Sequence, residues 1–133
     1  MTTSITSVSS SYSALAYASP APTKSVDQWT TTEIAAIDVA NINSLKPAQI
    51  SAMTTTQVNT LSTAVFAALS ASQVQALTSP QVTSLSTSNV AALTASQLNS
   101  LKATQITSLS STQVNTISTA TLATVKGTQL ALL

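Results

Sequence analysis

Side chains suited to acid, base or nucleophilic chemistry are scarce in this sequence. Serine and threonine hydroxyls abound, but there is no histidine and no cysteine, so the usual base that activates a hydroxyl nucleophile is missing. A catalytic carboxylate pair would have to come from Asp27, Glu33 and Asp38, the only acidic residues. A single glycine, Gly127, cannot build a glycine-rich phosphate loop. We therefore predict that the protein is not an enzyme and has no catalytic residues, no cofactor and no metal site.

The charge and hydropathy patterns exclude further classes of protein. The formal net charge is only +1, and the lysines are spread along the chain without a basic patch, so we predict no nucleic-acid binding. No run of about eighteen apolar residues is present, so we predict no membrane span. A signal peptide is not evident, because the first residues lack both a basic start and a continuous apolar run.

Residues 30–133 are one eight-residue unit written thirteen times without an insertion, which is the signature of a repeat architecture. We number the unit from position one at Thr30. Position five is apolar throughout: Ile34, Ile42, Ile50, Val58, Phe66, Val74, Val82, Val90, Leu98, Ile106, Val114, Leu122 and Leu130. Position eight is too: Ile37, Leu45, Met53, Leu61, Leu69, Leu77, Leu85, Leu93, Leu101, Leu109, Ile117, Val125 and Leu133. These two columns are the predicted core.

Local signals in the octad favour a string of short helices. In one continuous helix the apolar stripe would advance by about 80° per octad and face no single partner. Ser or Thr at position one followed by Gln or Glu at position four forms a capping box at a helix start. Pro47 and Pro80 then fall among the first helical residues, whose amides have no intrahelical partner. The matching pairs are Thr30 and Glu33, Thr54 and Gln57, Ser70 and Gln73, Thr78 and Gln81, Thr94 and Gln97, and Ser110 and Gln113. Asp38 is predicted to be an N-cap as well.

The sequence therefore predicts an all-α solenoid of short capped helices, with a β-solenoid as the alternative. Val, Ile and Thr favour strands, but positions five and eight would lie on opposite faces of a straight strand. An octad cannot fold alone, because burying two aliphatic side chains offsets less than the cost of ordering eight residues. Each unit must stack on its neighbours. In the middle of the chain, Val65 and Phe66 add bulk, which indicates either local repacking or a contact patch exposed at Val65.

The two ends of the chain differ from the repeats between them. Residues 1–29 form a Ser/Thr-rich arm, predicted to be extended or disordered until it docks on its own solenoid or on a neighbour's. Trp29 is expected to cover the open end of the stack, and the last octad places Leu132 where every other copy has a small residue. An uncapped stacking surface at one end and an apolar arm at the other predict head-to-tail contacts. The residues expected to take part are Ile5, Val8, Tyr12, Leu15, Tyr17, Trp29, Leu130, Leu132 and Leu133.

The unit Leu-Thr-x-x-Gln-Val-x-x-Leu, as in residues 93–101, resembles octad repeats of large secreted or surface-exposed bacterial proteins of the adhesin-like kind. The resemblance covers about residues 30–133. It implies an extracellular or cell-surface location and a structural or adhesive role, and it carries no catalytic residues.

The favoured interpretation is a structural, self-assembling subunit of an extracellular filament, matrix or surface layer, whose partners are its own copies. The alternative is an adhesin-type or ice- or polysaccharide-binding module, which would recognise a periodic target such as a surface glycan through its regular Ser/Thr/Ala columns.

Overall fold

The computed structural model describes residues 25–133, and there every octad forms one short helix. Twelve octads hold an α-helix and the octad 38–45 holds a 3-10 helix, Ile42–Ser44; another 3-10 helix, Val26–Gln28, precedes the first octad. The α-helices are α1 (Thr31–Ala35), α2 (Pro47–Ala52), α3 (Thr55–Thr60), α4 (Thr63–Ala67), α5 (Ala71–Ala76), α6 (Ser79–Thr83), α7 (Thr87–Ala91), α8 (Ala95–Ser100), α9 (Ala103–Ile106), α10 (Ser111–Val114), α11 (Thr119–Leu122) and α12 (Gly127–Leu130). Residues 25–133 contain no strand. The helical solenoid is confirmed, and the β-solenoid alternative is wrong.

Nine of the twelve α-helices of the described residues begin after a Ser or Thr whose hydroxyl accepts a backbone N–H of the first turn, whereas the helices that follow Lys46, Lys102 and Lys126 lack this bond. In α3, the Thr54 hydroxyl accepts from the backbone N–H of Gln57 at 3.1 Å, and the Gln57 side-chain oxygen accepts from the N–H of Thr54 at 2.7 Å. All six predicted capping boxes are present. Pro47 and Pro80 lie at the predicted places in the first turns of α2 and α6. Local capping interactions therefore start the short helices, and their residues can be recognised in the sequence.

Helix α3 ends because the residues at positions eight and one, Leu61 and Ser62, are extended. Leu61 has φ −63° and ψ 137°, and the next residue, Ser62, has φ −68° and ψ 158°. These dihedral angles lie far from those of an α-helix, so they break the hydrogen-bonding ladder and redirect the chain. The following helix starts at once in the new direction.

Positions five and eight line one continuous core along the solenoid. Helices pack on the third unit further along the chain, as α2 does on α5 and α5 on α8. Side-chain hydrogen bonds join residues that are 25 to 31 positions apart. Since three octads are 24 residues and four are 32, one turn of the coil takes between three and four octads.

Three local features add detail to the predicted pattern. Asp38 uses its carboxylate to accept from the Asn41 N–H at 2.9 Å, although the regular helix in that octad begins only at Ile42. Val65 is buried, so the octad 62–69 is a case of local repacking and the exposed patch at Val65 is wrong. Upstream of Thr30, Val26 belongs to the buried core and Trp29 packs against it, so the packed region includes residues before the first octad.

Candidate functional site

The contact between successive turns of the solenoid is built around the glutamine at position four. In α5, the Gln73 side-chain oxygen accepts from the N–H of Ser70 at 2.9 Å. Its amide nitrogen donates to the carbonyl oxygens of Ile42 at 2.7 Å and Leu45 at 2.8 Å, one turn earlier in the coil. The side chain is buried, and both of its polar atoms are satisfied. Gln73 therefore caps its own helix and also hydrogen-bonds that helix to the preceding turn of the coil.

The same two separations recur along the stack. Each buried glutamine at position four donates to the carbonyl oxygens 31 and 28 residues earlier, at positions five and eight. The sets are Gln57 with Val26 and Trp29, Gln81 with Ile50 and Met53, Gln97 with Phe66 and Leu69, Gln105 with Val74 and Leu77, and Gln113 with Val82 and Leu85. We call this set of bonds the glutamine ladder. The sequence indicated the capping half of this role and missed the other half.

Each turn consequently has two unlike faces. The acceptor face carries the position-five side chains and the backbone carbonyls that the glutamines contact, and the next turn covers it. The donor face carries the position-four amides and faces the turn before. At each buried glutamine of the ladder, the donor face of one turn lies on the acceptor face of the turn before.

In the structure, the acceptor face of the last turn is exposed. Position five is fully buried at Val90, half-buried at Val114 and Leu122, and 45% exposed at Leu130. Leu132 and Leu133 are 38% and 37% exposed. The three predicted contact residues of the last octad therefore lie together on one exposed apolar end.

The first described turn presents the opposite face. Position four is exposed at Glu33 and half-buried at Asn41 and Gln49, whereas it is buried in every octad from Gln57 to Gln113. The Gln49 side-chain oxygen accepts from the N–H of Lys46 at 2.8 Å. Within residues 25–133, the Gln49 amide nitrogen has no carbonyl partner. The ladder separations would pair it with residues 18 and 21, which lie outside the described part of the chain.

The other predicted contact residues are divided between the two ends of the chain. Trp29 is half-buried in the first described unit, where its carbonyl oxygen accepts from the Gln57 amide at 2.6 Å. It thus belongs to the opposite end from Leu130. The remaining predicted residues, Ile5, Val8, Tyr12, Leu15 and Tyr17, lie outside the described residues.

A second set of bonds joins the turns through asparagine at position six. The Asn59 side chain donates to the carbonyl oxygen of Ser84 at 2.6 Å and accepts from the N–H of Ser86 at 2.8 Å. Asn99 repeats both bonds with Thr124 and Lys126. Because Asn99 takes the Lys126 amide, the buried side-chain oxygen of Gln129 is left without a partner within the described residues.

The glutamine ladder is interrupted at Asn89, and replacing this residue by the longer glutamine should stabilise the protein. Its side-chain nitrogen is buried without a partner among the described residues, and Asn is one methylene shorter than Gln. In Asn89→Gln, the ladder separations place the amide near the carbonyl oxygens of Val58 and Leu61. We expect the free energy of unfolding to rise by about 1 kcal/mol, measured by urea denaturation. Asn115→Gln, which adds the same methylene at an exposed site, should change nothing; a loss of stability in Asn89→Gln alone would mean that the site has no room for it.

The carboxylates of the described residues make local contacts. Asp27 accepts from the Ser25 hydroxyl, Glu33 accepts from the N–H of Thr30 at 2.7 Å, and Asp38 binds the backbone as described above. Residues 25–133 hold no group of three or more potential metal ligands. In the same part of the chain, no helix has the length and apolar character that crossing a membrane requires.

The central octads are also where the sequence matches a known repeat. Residues 55–87 match the family model of the ALTTAQ repeat. Four of the six letters of that name match Ala76-Leu77-Thr78-Ser79-Pro80-Gln81, where Ser79 and Pro80 differ; this segment runs from position seven to the ladder glutamine. The ALTTAQ match covers about a quarter of the chain and supports a repeat region. No significant match was found among curated proteins or among solved structures.

Proposed function

We propose that this chain is a structural subunit that associates end to end with further copies of itself, forming a filament, matrix or surface layer outside a bacterial cell. The observation that carries the proposal is the exposed acceptor face of the last turn. Its position-five residues belong to the same column that is buried inside the solenoid, and Leu130, Leu132 and Leu133 add exposed apolar surface to it.

The physical argument rests on the two unlike faces. An acceptor face on one copy and a donor face on another form a heterologous contact, which does not close on itself and so propagates. Each internal turn demonstrates that these two faces pack together. The chain also carries few charges, with four lysines and three acidic residues, so electrostatic repulsion between copies is small. The extracellular setting is proposed from the resemblance to secreted repeat proteins, which the ALTTAQ match neither requires nor opposes.

A ligand-binding role for the regular exterior has weaker support. Position three is exposed in every octad from residue 30 onward. However, that row mixes threonine, serine, alanine and one proline, Pro80. Matching a crystal lattice or a repeating glycan should favour a single residue type along the row. We therefore retain self-association as the function that the geometry supports best.

Placing a charge on the exposed end should suppress assembly. In Leu130→Lys, burying position five against another copy would require desolvating an ammonium group. Because a buried leucine side chain contributes about 1.5–3 kcal/mol, we expect association to weaken by about tenfold or more. Sedimentation velocity over a concentration series, with electron microscopy of the same samples, would measure it.

Val39→Lys is the matched control, because Val39 is 49% exposed and lies at position two, which is exposed or half-buried in every octad. It should assemble as the parent chain does. If the parent chain stays monomeric at every concentration, or if the two variants behave alike, the proposed function is wrong.

A further inference from the structure

We propose that the assembly is polar and that Gln49 of one copy extends the glutamine ladder by donating to the backbone oxygens of Leu130 and Leu133 of a second copy. The inference rests on the proposed function and names the residues that join the copies. It commits to a second copy of this chain as the partner that covers the last turn.

The first step is that Gln49 has the capping bond of a ladder glutamine and lacks the ladder bonds. Its oxygen accepts from Lys46, as the corresponding oxygen of Gln73 does from Ser70. Its amide nitrogen finds no carbonyl within residues 25–133, and the side chain is half-buried at the edge of the donor face. Gln49 is thus a hydrogen-bond donor already held in place by its own helix.

The second step is that the last octad supplies the matching acceptors. Inside the solenoid, the carbonyls at positions five and eight receive a glutamine amide 31 and 28 residues later. No glutamine amide of the described residues donates to the backbone oxygens of Leu130 or Leu133. These two carbonyls lie in the unit whose side chains are the most exposed of their columns.

The third step is the register between copies. To continue the coil, a second copy must be offset by a whole number of octads. Thirteen octads would make its described residues overlap the last octad of the first copy. An offset of fourteen octads places its residue 25 four positions after Leu133 and requires its residues 1–21 to lie outside the continuous coil. At that offset, the separations of 31 and 28 set Gln49 opposite Leu130 and Leu133. The contact between copies then repeats the one found between turns.

The variant that isolates this contact is Gln49→Glu. A carboxylate still accepts from the N–H of Lys46, so the helix cap is kept, but it cannot donate to a carbonyl oxygen. We expect association to weaken by about tenfold or more, with an unchanged circular dichroism spectrum and melting temperature. The control is Gln75→Glu, the same change at an exposed position-six site, which should weaken association by less than about twofold.

Mixing two damaged chains tests the polarity. Gln49→Glu leaves the acceptor face intact, and Leu130→Lys leaves the donor face intact. At concentrations where the parent chain assembles and each variant alone stays monomeric, the mixture should form heterodimers that grow no further. Unimpaired assembly by Gln49→Glu, or a mixture without heterodimers while the parent chain assembles, would overturn this inference and leave the proposed function standing. A parent chain that never assembles would overturn both.

Discussion

Gln73→Glu should destabilise the protein by about 3 kcal/mol or more at neutral pH. The Gln73 amide donates to two carbonyl oxygens inside the stack, at 2.7 and 2.8 Å, and the side chain is only 2% exposed. A carboxylate there would face those oxygens without a proton to share, and a buried polar group left unpaired is costly, especially when charged. The cost should appear as a lower free energy of unfolding in urea denaturation.

The penalty should also shrink in acid. Burial beside two oxygens raises the pKa of the introduced carboxyl above its unfolded value of about 4.3. The folded state then binds more protons than the unfolded state between the two pKa values, so the stability of the variant falls as pH rises through that window. Below the unfolded pKa, the protonated acid donates one hydrogen bond again and much of the loss is recovered.

Gln75→Glu is the matched control for this experiment, because it makes the same charge change two residues away on α5, at an exposed site. We expect its stability to stay within about 0.5 kcal/mol of the parent chain. Equal losses in the two variants would show that the ladder bonds contribute little and that the capping bond is the whole role of position four.

The helices and their caps were predictable because their determinants are local. A threonine three residues before a glutamine fixes the start of α3 whatever surrounds it, and the apolar residues at positions five and eight of every octad mark the core. The size of one turn was not predictable. It depends on the angle between consecutive helices, and small differences in ψ at residues such as Leu61 and Ser62 accumulate over several octads.

The residue types at position four contain a signal of the glutamine ladder. A capping box accepts either Glu or Gln, and a carboxylate suits the positive end of a helix better. Yet position four has glutamine in eight octads and glutamate only at Glu33. A strong preference for the amide over the carboxylate indicates that a hydrogen-bond donor is required there. Glu33 is consistent with this interpretation, because it lies in the first described turn, where position four is exposed.

Phe66→Ala should be the most damaging truncation in the core. Phe66 is fully buried in the middle of the stack, and Val65 beside it takes the place of a ladder glutamine. This unit therefore depends on side-chain packing where its neighbours also have ladder bonds. Truncating a buried phenylalanine to alanine leaves a cavity and costs about 3–5 kcal/mol. Calorimetry and urea denaturation would both register the loss.

The position of Phe66 adds a second expected effect. In a solenoid each unit contacts only nearby units, so stability is approximately a sum of local terms. Weakening a central unit should uncouple the two halves and broaden or split the unfolding transition. Leu130→Ala provides the control in the same column, because Leu130 is largely exposed and its truncation should cost less than about 1 kcal/mol. If the two truncations lower the free energy of unfolding equally, position five does not form a continuous core. The exposed residues at the end of that column would then not be an uncovered stacking face.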